Sequence, residues 1–282
     1  MIRIRAVNAT ANFTINKAKI ETIPTQSGTL TYNGSAQTIA GSAGSCTTGG
    51  TMYYYTTNYT TSTAPTFSTS TWTTTYPSSA SGTNAGTYYM WYYCYVSDTS
   101  NNTGTGINTA KSVTKAIGKA NVTATAPTAK SLSYTGNAQA LVNAGSCTSG
   151  GTMYYKAANS NQTSYGTGIP TGTNATTYTV YYYCKGDSNH NDTTAASVDV
   201  TIGKVAATLS CSNKTYNGSE QTACSCTGGT VGGTYKATNY SSTAYTASCT
   251  GDSNHSNPSN KTWTMGQRTV TITAPTVKST TL

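Results

Sequence analysis

The sequence predicts an all-β protein built from three repeated modules, each stapled by disulfide bonds. The chain has no long run of helix-forming residues, and its 23 tyrosines are strand formers that bury a large apolar area. Six of its eight cysteines recur at matching positions. The segment Gly145–Tyr155 closely repeats Gly44–Tyr54, and an internal repeat of this kind indicates a modular architecture.

Short motifs mark the module boundaries. Ile117–Lys119 and Ile202–Lys204 both read Ile-Gly-Lys, and Ile15–Ala18 and Met265–Arg268 are related to them. Each motif follows a strand in which apolar residues alternate, which brings Val113 with Ile117, Val198 with Val200 and Ile202, and Trp263 with Met265 to one face. We predict modules at residues 18–118, 119–203 and 204–267, flanked by terminal segments at residues 1–17 and 268–282.

The two terminal segments are expected to be single strands. Residues 1–17 resemble the last strand of a preceding module or an exchanged strand, and residues 268–282 resemble the first strand of a following module or an exchanged strand. A lone strand is marginally stable, which favours a piece of a longer array over strand exchange. Residues 1–7 lack the apolar core of a signal peptide, so we expect a piece of a longer secreted chain or export by another route.

A turn signal opens each module and predicts one disulfide. The three signals are Tyr32–Ser35, Tyr134–Asn137 and Tyr216–Ser219. Asn-Gly between strands predicts a two-residue hairpin in which both central residues have positive φ. A hairpin centred on Asn217 and Gly218 places Cys211 opposite Cys224 in a non-hydrogen-bonded pair, whose Cα atoms lie about 4.5 Å apart. We predict a Cys211–Cys224 disulfide.

The other cysteines pair by the internal repeat. In the first two modules one cysteine ends a turn before a strand and its partner ends a later tyrosine-rich strand; the last pair follows by analogy. The predicted disulfides are Cys46–Cys94, Cys147–Cys184 and Cys226–Cys249. Eight paired cysteines predict an oxidising, extracellular environment. A zinc site is not expected, because no C-x-x-C pair is present.

The charge of the chain argues against a nucleic-acid partner, and its hydropathy argues against membrane insertion. The net charge of +9 comes from 16 basic and 7 acidic residues that are spread thinly. Nucleic-acid binders concentrate Lys and Arg on one face, and the nearest cluster here is Lys111, Lys115 and Lys119 at a module boundary. We expect a mildly basic soluble surface. No stretch is long and apolar enough for a transmembrane helix, so membrane insertion is not expected.

Four segments carry a resemblance to a known family. TYNGSAQ, AGSCTSGGTMYY, PTGTNATTYTVYYYCKGDSNHND and SVDVTIGK resemble the bacterial immunoglobulin-like tandem repeats of the MBG and Big type. Those repeats occur in large surface adhesins, and related modules occur on phage particles. The resemblance covers nearly the whole chain and is strongest in residues 119–203. It implies immunoglobulin-like β-sandwich modules of about seven strands that act as stalk, spacer or adhesin and have no catalytic residues.

The chain departs from that family pattern in three respects. Cysteine pairs are not a usual feature of those repeats. The antibody-type Cys…Trp…Cys arrangement is absent, since Trp91 lies in the strand of the second cysteine itself. The third module is short enough that strands must be missing.

Catalytic chemistry and cofactors are not expected. The acidic residues show no recurring spacing suited to glycoside cleavage, and His190 and His255 lie in matching Gly-Asp-Ser-Asn-His loops. Asp187, Asn189 and Asn191 supply alternating oxygen atoms like the start of a calcium loop, which makes them weak candidate calcium ligands. The central glycine and the distal glutamate of that loop are missing, and a plain turn explains the composition equally well.

Aromatic stripes are the best binding candidates. Strand alternation places Tyr88, Met90, Tyr92 and Cys94 on a core face. The opposite face, together with its counterpart in the second module, carries the candidate surface residues Tyr89, Trp91, Tyr93, Tyr181 and Tyr183. These rings either contact a glycan or a protein partner, or stabilise the sheet as cross-strand pairs.

We expect a non-catalytic extracellular structural or adhesive protein, namely a tandem immunoglobulin-like stalk or fibre segment of a bacterial surface protein. Its expected partners are neighbouring modules, other copies of itself, and host glycans or surface proteins. Two alternatives are a phage virion decoration or fibre protein with the same modules, and a filament subunit that polymerises by strand donation.

Overall fold

The computed structural model describes residues 20–26, 28–46, 49–98 and 107–278. The strand predicted within residues 1–17 lies outside this part. All regular structure in the described part is β-strand, so the prediction of an all-β fold is confirmed. Within the same ranges, no helix long and apolar enough to cross a membrane is present.

The described residues form two compact units. Unit 1 comprises those up to Val122 together with Ser149–Gly151 and Gly186–Thr193. Unit 2 comprises Thr123–Thr148, Thr152–Lys185 and those from Thr194 onward. The division into modules 18–118, 119–203 and 204–267 stays a prediction.

The strands are short except at the centres of the larger sheets. Those up to residue 122 are β1 (Ile20–Thr22), β2 (Leu30–Thr31), β3 (Gln37–Thr38), β4 (Ser45–Cys46), β5 (Thr51–Tyr55), β6 (Trp72–Thr73), β7 (Ser81–Gly82), β8 (Gly86–Tyr95), β9 (Lys111–Gly118) and β10 (Ala120–Asn121). The next group is β11 (Ala124–Thr125), β12 (Thr128–Ala129), β13 (Leu132–Ser133), β14 (Gln139–Ala140), β15 (Val142–Asn143), β16 (Ser146–Cys147), β17 (Gly151–Ala157), β18 (Thr171–Gly172), β19 (Thr177–Gly186), β20 (His190–Asn191) and β21 (Ala196–Gly203). The last group is β22 (Val205–Ala206), β23 (Thr208–Cys211), β24 (Lys214–Thr215), β25 (Gln221–Thr222), β26 (Cys224–Thr227), β27 (Gly229–Gly233), β28 (Lys236–Ala237), β29 (Tyr245–Gly251), β30 (His255–Ser256), β31 (Lys261–Trp263) and β32 (Met265–Gly266).

Three sheets with related strand orders organise the chain. Unit 1 has a five-stranded sheet in the order β2-β9-β8-β5-β6. A four-stranded sheet in the order β13-β21-β19-β17 and a three-stranded sheet in the order β27-β29-β31 follow. Each of the first two sheets contains one parallel pair, β2 with β9 and β13 with β21. In both pairs, the first strand precedes the turn signal and the second follows the tyrosine-rich strand. In the last repeat, the equivalent parallel pair is β24 with β32, which form a separate two-stranded sheet.

The inward faces of these sheets form separate hydrophobic clusters. In unit 1 the first cluster contains Ile39, Tyr88, Met90 and Ile117, and a smaller one surrounds Cys94. The clusters in unit 2 are the second cluster (Leu141, Val142, Tyr155, Ala157, Tyr178, Val180, Val200 and Ile202) and the third cluster (Ala207, Leu209, Ala223, Cys224, Ala247, Cys249, Trp263 and Met265). Strand alternation therefore points the expected residues inward, because successive side chains face opposite sides of a sheet.

The structure contains four disulfides, three with the pairing expected from the repeat and one, Cys211–Cys224, with the pairing expected from the turn register. Cα–Cα distances are 6.0 Å for Cys46–Cys94, 5.8 Å for Cys147–Cys184 and 5.9 Å for Cys226–Cys249. Cys211 lies directly opposite Cys224 in the β23–β26 ladder, and their Cα atoms are 4.1 Å apart. Four disulfides indicate an oxidising, extracellular environment.

The turn signals do not form the predicted two-residue hairpins. Gly34 and Gly218 have positive φ (82° and 88°), but Asn33 and Asn217 do not. Instead the Asn217 Oδ1 accepts a hydrogen bond from the Ser219 N–H at 3.0 Å, and Asn33 accepts the same bond from Ser35 in the first repeat. Asparagine closes its own turn in this way, so the second positive φ is not needed.

The strands that flank each turn diverge instead of pairing. The Tyr216 N–H donates to the Gly266 carbonyl at 2.9 Å and not to Ser219, which corrects the predicted Tyr216–Ser219 pair. A glutamine side chain closes the loop: Gln221 Nε2 donates to the Thr215 carbonyl at 2.8 Å. Gln37 and Gln139 make the same bond to Thr31 and Ser133. The register between Cys211 and Cys224 survives because the loop still contributes equal numbers of residues to both arms.

One member of the predicted lysine cluster is not at the surface. Lys115 is 6% exposed, and its Nζ donates to the Gly28 carbonyl. Strand alternation along β9 turns Lys115 to the same side as Ile117, which is buried. Lys115 therefore does not lie with Lys111 and Lys119 on the surface.

The segment after β32 forms no strand within residues 267–278. Val270, Ile272 and Val277 are 78%, 89% and 96% exposed. Its predicted pairing with another module or another subunit stays a prediction.

Candidate functional site

The predicted aromatic row is covered in unit 1. Trp91 is 7% exposed, and its indole N–H donates to the Thr61 carbonyl at 2.9 Å. Tyr93 stacks on Phe67 with ring centroids 3.9 Å apart, and Tyr89 is half-buried. The long connection between β5 and β6 folds over this face, so the row is not open at Trp91, and binding by Tyr89, Trp91 and Tyr93 stays a prediction.

The corresponding face of β19 in unit 2 is open. Tyr181 is 42% exposed. Tyr183 is half-buried, with its ring edge-on to Tyr165 at 4.9 Å and tilted against Tyr154 at 5.7 Å. The four rings form one aromatic surface, which we call the tyrosine face.

Two lysines border the tyrosine face. Lys156 Nζ lies 4.5 Å from the ring centroid of Tyr165 and 5.6 Å from that of Tyr181, and Lys185 Nζ lies 5.7 Å from that of Tyr154. These distances fit cation–π attraction. Partial burial raises the pKa of the Tyr165 hydroxyl, and the neighbouring Tyr183 and Tyr181 raise it further.

The tyrosine face borders a shallow depression. Its volume is about 360 Å³, and it is lined by Lys156, Ala158, Asn159, Thr163 and Tyr181. Ring surfaces stack on the C–H faces of sugars or on planar side chains, while ammonium groups attract carboxylates. The arrangement can therefore hold a glycan or a peptide that carries negative charge.

The first Gly-Asp-Ser-Asn-His loop packs within unit 1 against a turn and a tyrosine. Asn189 Oδ1 accepts a hydrogen bond from the Ala85 N–H at 2.8 Å. The His190 ring meets the Tyr32 ring edge-on at a centroid distance of 5.2 Å. Asp187 orients the imidazole, since its Oδ1 lies 2.7 Å from His190 Nδ1. The loop is thus joined to its neighbours by three directional contacts.

The second Gly-Asp-Ser-Asn-His loop repeats these contacts within unit 2. Asn254 Oδ1 accepts from the Ala175 N–H at 2.8 Å, His255 meets Tyr134 at 5.2 Å, and Asp252 Oδ1 lies 2.7 Å from His255 Nδ1. Here the loop follows β29, which contributes Ala247 and Cys249 to the third cluster, while Tyr134 packs against the second cluster. The same contacts at the same distances indicate a connection that the repeat encodes, and we call it the Asn-His clasp.

The backbone of each loop also pairs with the linking segment at the start of the same repeat. The Ala120 N–H donates to the Asn189 carbonyl at 3.0 Å, and β10 then runs parallel to β20. The Val205 N–H donates to the Asn254 carbonyl at 3.4 Å, and β22 runs parallel to β30. The clasp therefore also positions the chain that links one cluster to the next.

A glycine lies against each histidine ring. Gly150 has φ +83° and Gly228 has φ +80°, a region that other residues rarely adopt. A Cβ atom at Gly150 would collide with the His190 ring, and one at Gly228 would collide with the His255 ring. The first glycine of the Gly-Gly dipeptide in these repeats is therefore required by the clasp as well as by the turn.

The weak calcium candidates do not converge on one point. Asp187 Oδ1 accepts from the Asn189 N–H, Asn189 Oδ1 accepts from Ala85, and Asn191 Nδ2 donates to Asn121 Oδ1. The side chains of Asp187, Asn189 and Asn191 thus serve three different partners. Across residues 20–26, 28–46, 49–98 and 107–278, no group of three or more His, Cys, Asp and Glu is placed to hold a metal ion.

The sequence singled out the two Gly-Asp-Ser-Asn-His loops but not the turns whose N–H groups donate to them. The signal was present: the triplet Thr-Asn-Ala occurs at Thr83–Ala85 and again at Thr173–Ala175, at the same distance before the second cysteine of each repeat. A repeated polar triplet between strands resembles ordinary turn chemistry, so its role appears only when the loop that contacts it is placed beside it.

Comparisons with known proteins add no family. No protein-family model matches the chain, and a search of curated proteins found no match.

The clasp can be tested at its asparagine. We expect Asn254→Ala to speed hydrogen exchange of the Ala175 amide about 10- to 100-fold, because losing the acceptor of a partly buried N–H costs about 1–3 kcal/mol. The matched control is Ser253→Ala, an exposed position in the same loop. Native-state exchange by NMR reads the single amide, and equal Ala175 rates in the two variants would contradict the assignment.

The clasp should also weaken in acid. The hydrogen bond to the His190 ring, followed by that from the Asn189 N–H, holds the pKa of Asp187 below its ordinary value of 3.8, and Asp252 is held low in the same way. A carboxylate with a lowered folded-state pKa stabilises the fold above its unfolded pKa, and this contribution is lost as pH falls through the folded value.

We therefore expect the Ala85 and Ala175 amides to lose protection progressively below about pH 3.8, after correction for intrinsic exchange rates. The control is the double variant Asp187→Asn/Asp252→Asn, whose side chains do not titrate. An identical acid response in this variant would show that other carboxylates are responsible.

Proposed function

We propose that this chain is part of a non-catalytic extracellular structural and adhesive protein, built from tandem immunoglobulin-like β-sandwich modules that are stapled by disulfides. The observation that carries the proposal is the Asn-His clasp, which occurs twice with the same residues and distances. The clasp supports a stalk or fibre because it fixes the strand that links two modules against a loop of the next repeat, as β10 pairs with β20 and β22 with β30.

Covalent bonds support the same proposal. Each repeat has a disulfide that joins an early strand to the later tyrosine-rich strand or its equivalent. In the second repeat this bond joins Cys147 in β16 to Cys184 in β19. Such a bond limits how far a module extends under force, because the residues between the cysteines stay enclosed. The proposal covers a bacterial cell surface or a virion surface, since the chemistry of the connection is the same on either.

The structural role can be tested by stretching the chain from its two ends in a single-molecule force experiment. We expect discrete unfolding events in oxidising buffer, and longer extensions after reduction. The Cys46–Cys94 bond alone holds back 48 residues, which corresponds to roughly 160 Å of chain. The oxidised variant Cys46→Ser/Cys94→Ser should release that length without reduction. Smooth extension without unfolding events would contradict a load-bearing role.

The adhesive role rests on the tyrosine face. Tyr181, Tyr183 and Lys156 form an open aromatic and cationic surface in unit 2, and the same strand face in unit 1 is covered. An open face with two ammonium groups favours an acidic glycan, because the rings stack on the sugar while the lysines attract its carboxylate.

This role can be tested with immobilised glycans that share one core and differ only in a terminal carboxylated sugar. We expect the intact chain to prefer the acidic glycan, and Tyr181→Ala or Lys156→Ala to weaken binding about tenfold, the equivalent of about 1.4 kcal/mol. Tyr240→Ala, which removes another exposed ring, serves as the control. Equal binding by all four proteins, or binding to neither glycan, would exclude this face as the glycan site.

A further inference from the structure

One half of the clasp, the tyrosine and the asparagine turn that receive the loop, occurs a third time. We call this half the acceptor because it receives the loop, although its backbone N–H groups are the hydrogen-bond donors. Tyr32, Tyr134 and Tyr216 occupy the same position, since their N–H groups donate to the carbonyls of the boundary glycines Gly118, Gly203 and Gly266. The asparagines of these turns also correspond, because each lies ten residues before the later cysteine of its repeat (Cys94, Cys184 or Cys249), and a tyrosine hydroxyl donates to each of their carbonyls. These bonds are Tyr88 to Asn84 at 2.8 Å, Tyr178 to Asn174 at 3.1 Å and Tyr245 to Asn239 at 2.9 Å.

The third acceptor is open. Tyr216, Asn239, Tyr240, Gln267, Arg268 and Val270 line a concave region of about 550 Å³. Tyr216 is 39% exposed and Tyr240 is 49% exposed. Tyr240 stands where Ala85 and Ala175 stand, directly after the asparagine of the turn. Within residues 20–26, 28–46, 49–98 and 107–278, the structure shows no hydrogen-bond acceptor for the Tyr240 or Arg268 N–H.

The entering segment is present as well. The sequence GQRTVTITAPTVK from Gly266 onward repeats GKANVTATAPTAK from Gly118 onward. Arg268 therefore corresponds to Ala120, whose N–H donates to the loop asparagine carbonyl. Val270 corresponds to Val122, which is 6% exposed, yet Val270 is 78% exposed. The residues that are buried when a loop is docked are thus exposed where none is docked.

We propose that this concave region is an acceptor site for the Gly-Asp-Ser-Asn-His loop of a further module of the same kind. The loop asparagine accepts a hydrogen bond from the Tyr240 N–H, and its carbonyl accepts one from the Arg268 N–H. The loop histidine meets the Tyr216 ring edge-on. Gln267 replaces Lys119, whose Nζ lies 3.5 Å from the Asp187 carbonyl, and keeps a donor at that position.

The occupant is a loop outside the described chain and not one of its own two. His190 and His255 are already enclosed, with side chains 14% and 19% exposed. Docking either of them at the third acceptor would break an existing clasp. Arg268 also adds a positive charge where Ala120 and Val205 are neutral, which suits a loop that carries an aspartate.

This inference rests on the modular organisation in the proposed function, but it is independent of load bearing and of the glycan site. A chain can dock a further loop at Tyr216 and still fail the force or glycan tests, so the failures are distinguishable.

The test adds a module to the full chain. A copy of residues 119–203 is placed directly after Gly266, in the position that residues 204–266 occupy after Gly203. Tethering gives the added loop a high effective concentration at the acceptor. We expect hydrogen exchange to slow at least tenfold relative to the unextended chain at two amides: that of Tyr240 and that of the linker residue which takes the place of Arg268. The reason is that each of these amides gains a hydrogen-bond acceptor.

The matched control carries Asn189→Ala and His190→Ala in the added copy only, and it should restore the exchange rate of Tyr240. Core amides of the two copies of residues 119–203 report whether the added module is folded. Tyr240 exchange that is unchanged beside a folded added module would overturn the proposal.

A second measurement applies if the added module does not fold. A cyclic peptide with the sequence Lys-Gly-Asp-Ser-Asn-His-Asn-Asp is titrated into the full unextended chain. We expect NMR shifts at the Tyr240 and Arg268 amides and at the Tyr216 ring, and no such shifts with a peptide in which alanine replaces the Asn and His of the Ser-Asn-His segment. Shifts that are absent, or that are the same with both peptides, would also overturn the proposal.

Discussion

The covalent closure of small cores is the constraint on which the rest of the structure depends. Charged residues are few, at 8% of the chain. Leu, Ile, Val and Phe are also scarce, so each cluster has little aliphatic surface to bury. Tyrosines and cystines replace it: Tyr178 and Cys184 are almost fully buried, and Cys224 and Cys249 belong to the third cluster itself. The disulfides limit the freedom of the unfolded chain, which compensates for small cores.

The third cluster shows this balance most clearly. It has the smallest of the three main sheets and two disulfides, with sequence separations of 13 and 23 residues. Cross-links of this length each contribute about 3 kcal/mol by chain entropy. Trp263 supplies the largest fully buried side chain, and its indole N–H is satisfied by the Thr234 carbonyl at 2.7 Å. One large aromatic residue and two covalent links thus replace several missing apolar side chains.

The Asn-His clasp uses turn chemistry for a connecting role. Asn189 accepts a hydrogen bond from the Ala85 N–H and donates one to the Asn84 side chain at 3.3 Å. An amide carries both an acceptor and a donor, and the asparagine side chain is short, so few rotatable bonds must be fixed to make both contacts. Asp187 fixes the His190 ring against Tyr32. The residues that resembled calcium ligands therefore act as hydrogen-bond partners within the protein. This explains why their spacing alternates without the remaining ligands of a calcium loop.

The sequence by itself determined the strand class, the cysteine pairing and the inward faces of the central strands. Alternation places Met90 and Cys94 inward whatever the neighbouring segments do, and the register between Cys211 and Cys224 depends only on the number of residues between them. The turn type was misassigned even so, because the Asn217 side chain offered a closure that did not need a second positive φ.

Only the tertiary structure decided what lies on the outward faces and what the loops contact. Trp91 is buried and Tyr181 is open on equivalent strand faces, and the difference is a connecting segment that folds back in one case. Asn189 Oδ1 accepts its hydrogen bond from the N–H of Ala85, 104 residues away along the chain. Strand alternation and register are local properties of the backbone, so the sequence displays them directly. Burial of an outward face depends on distant segments whose approach no local pattern encodes.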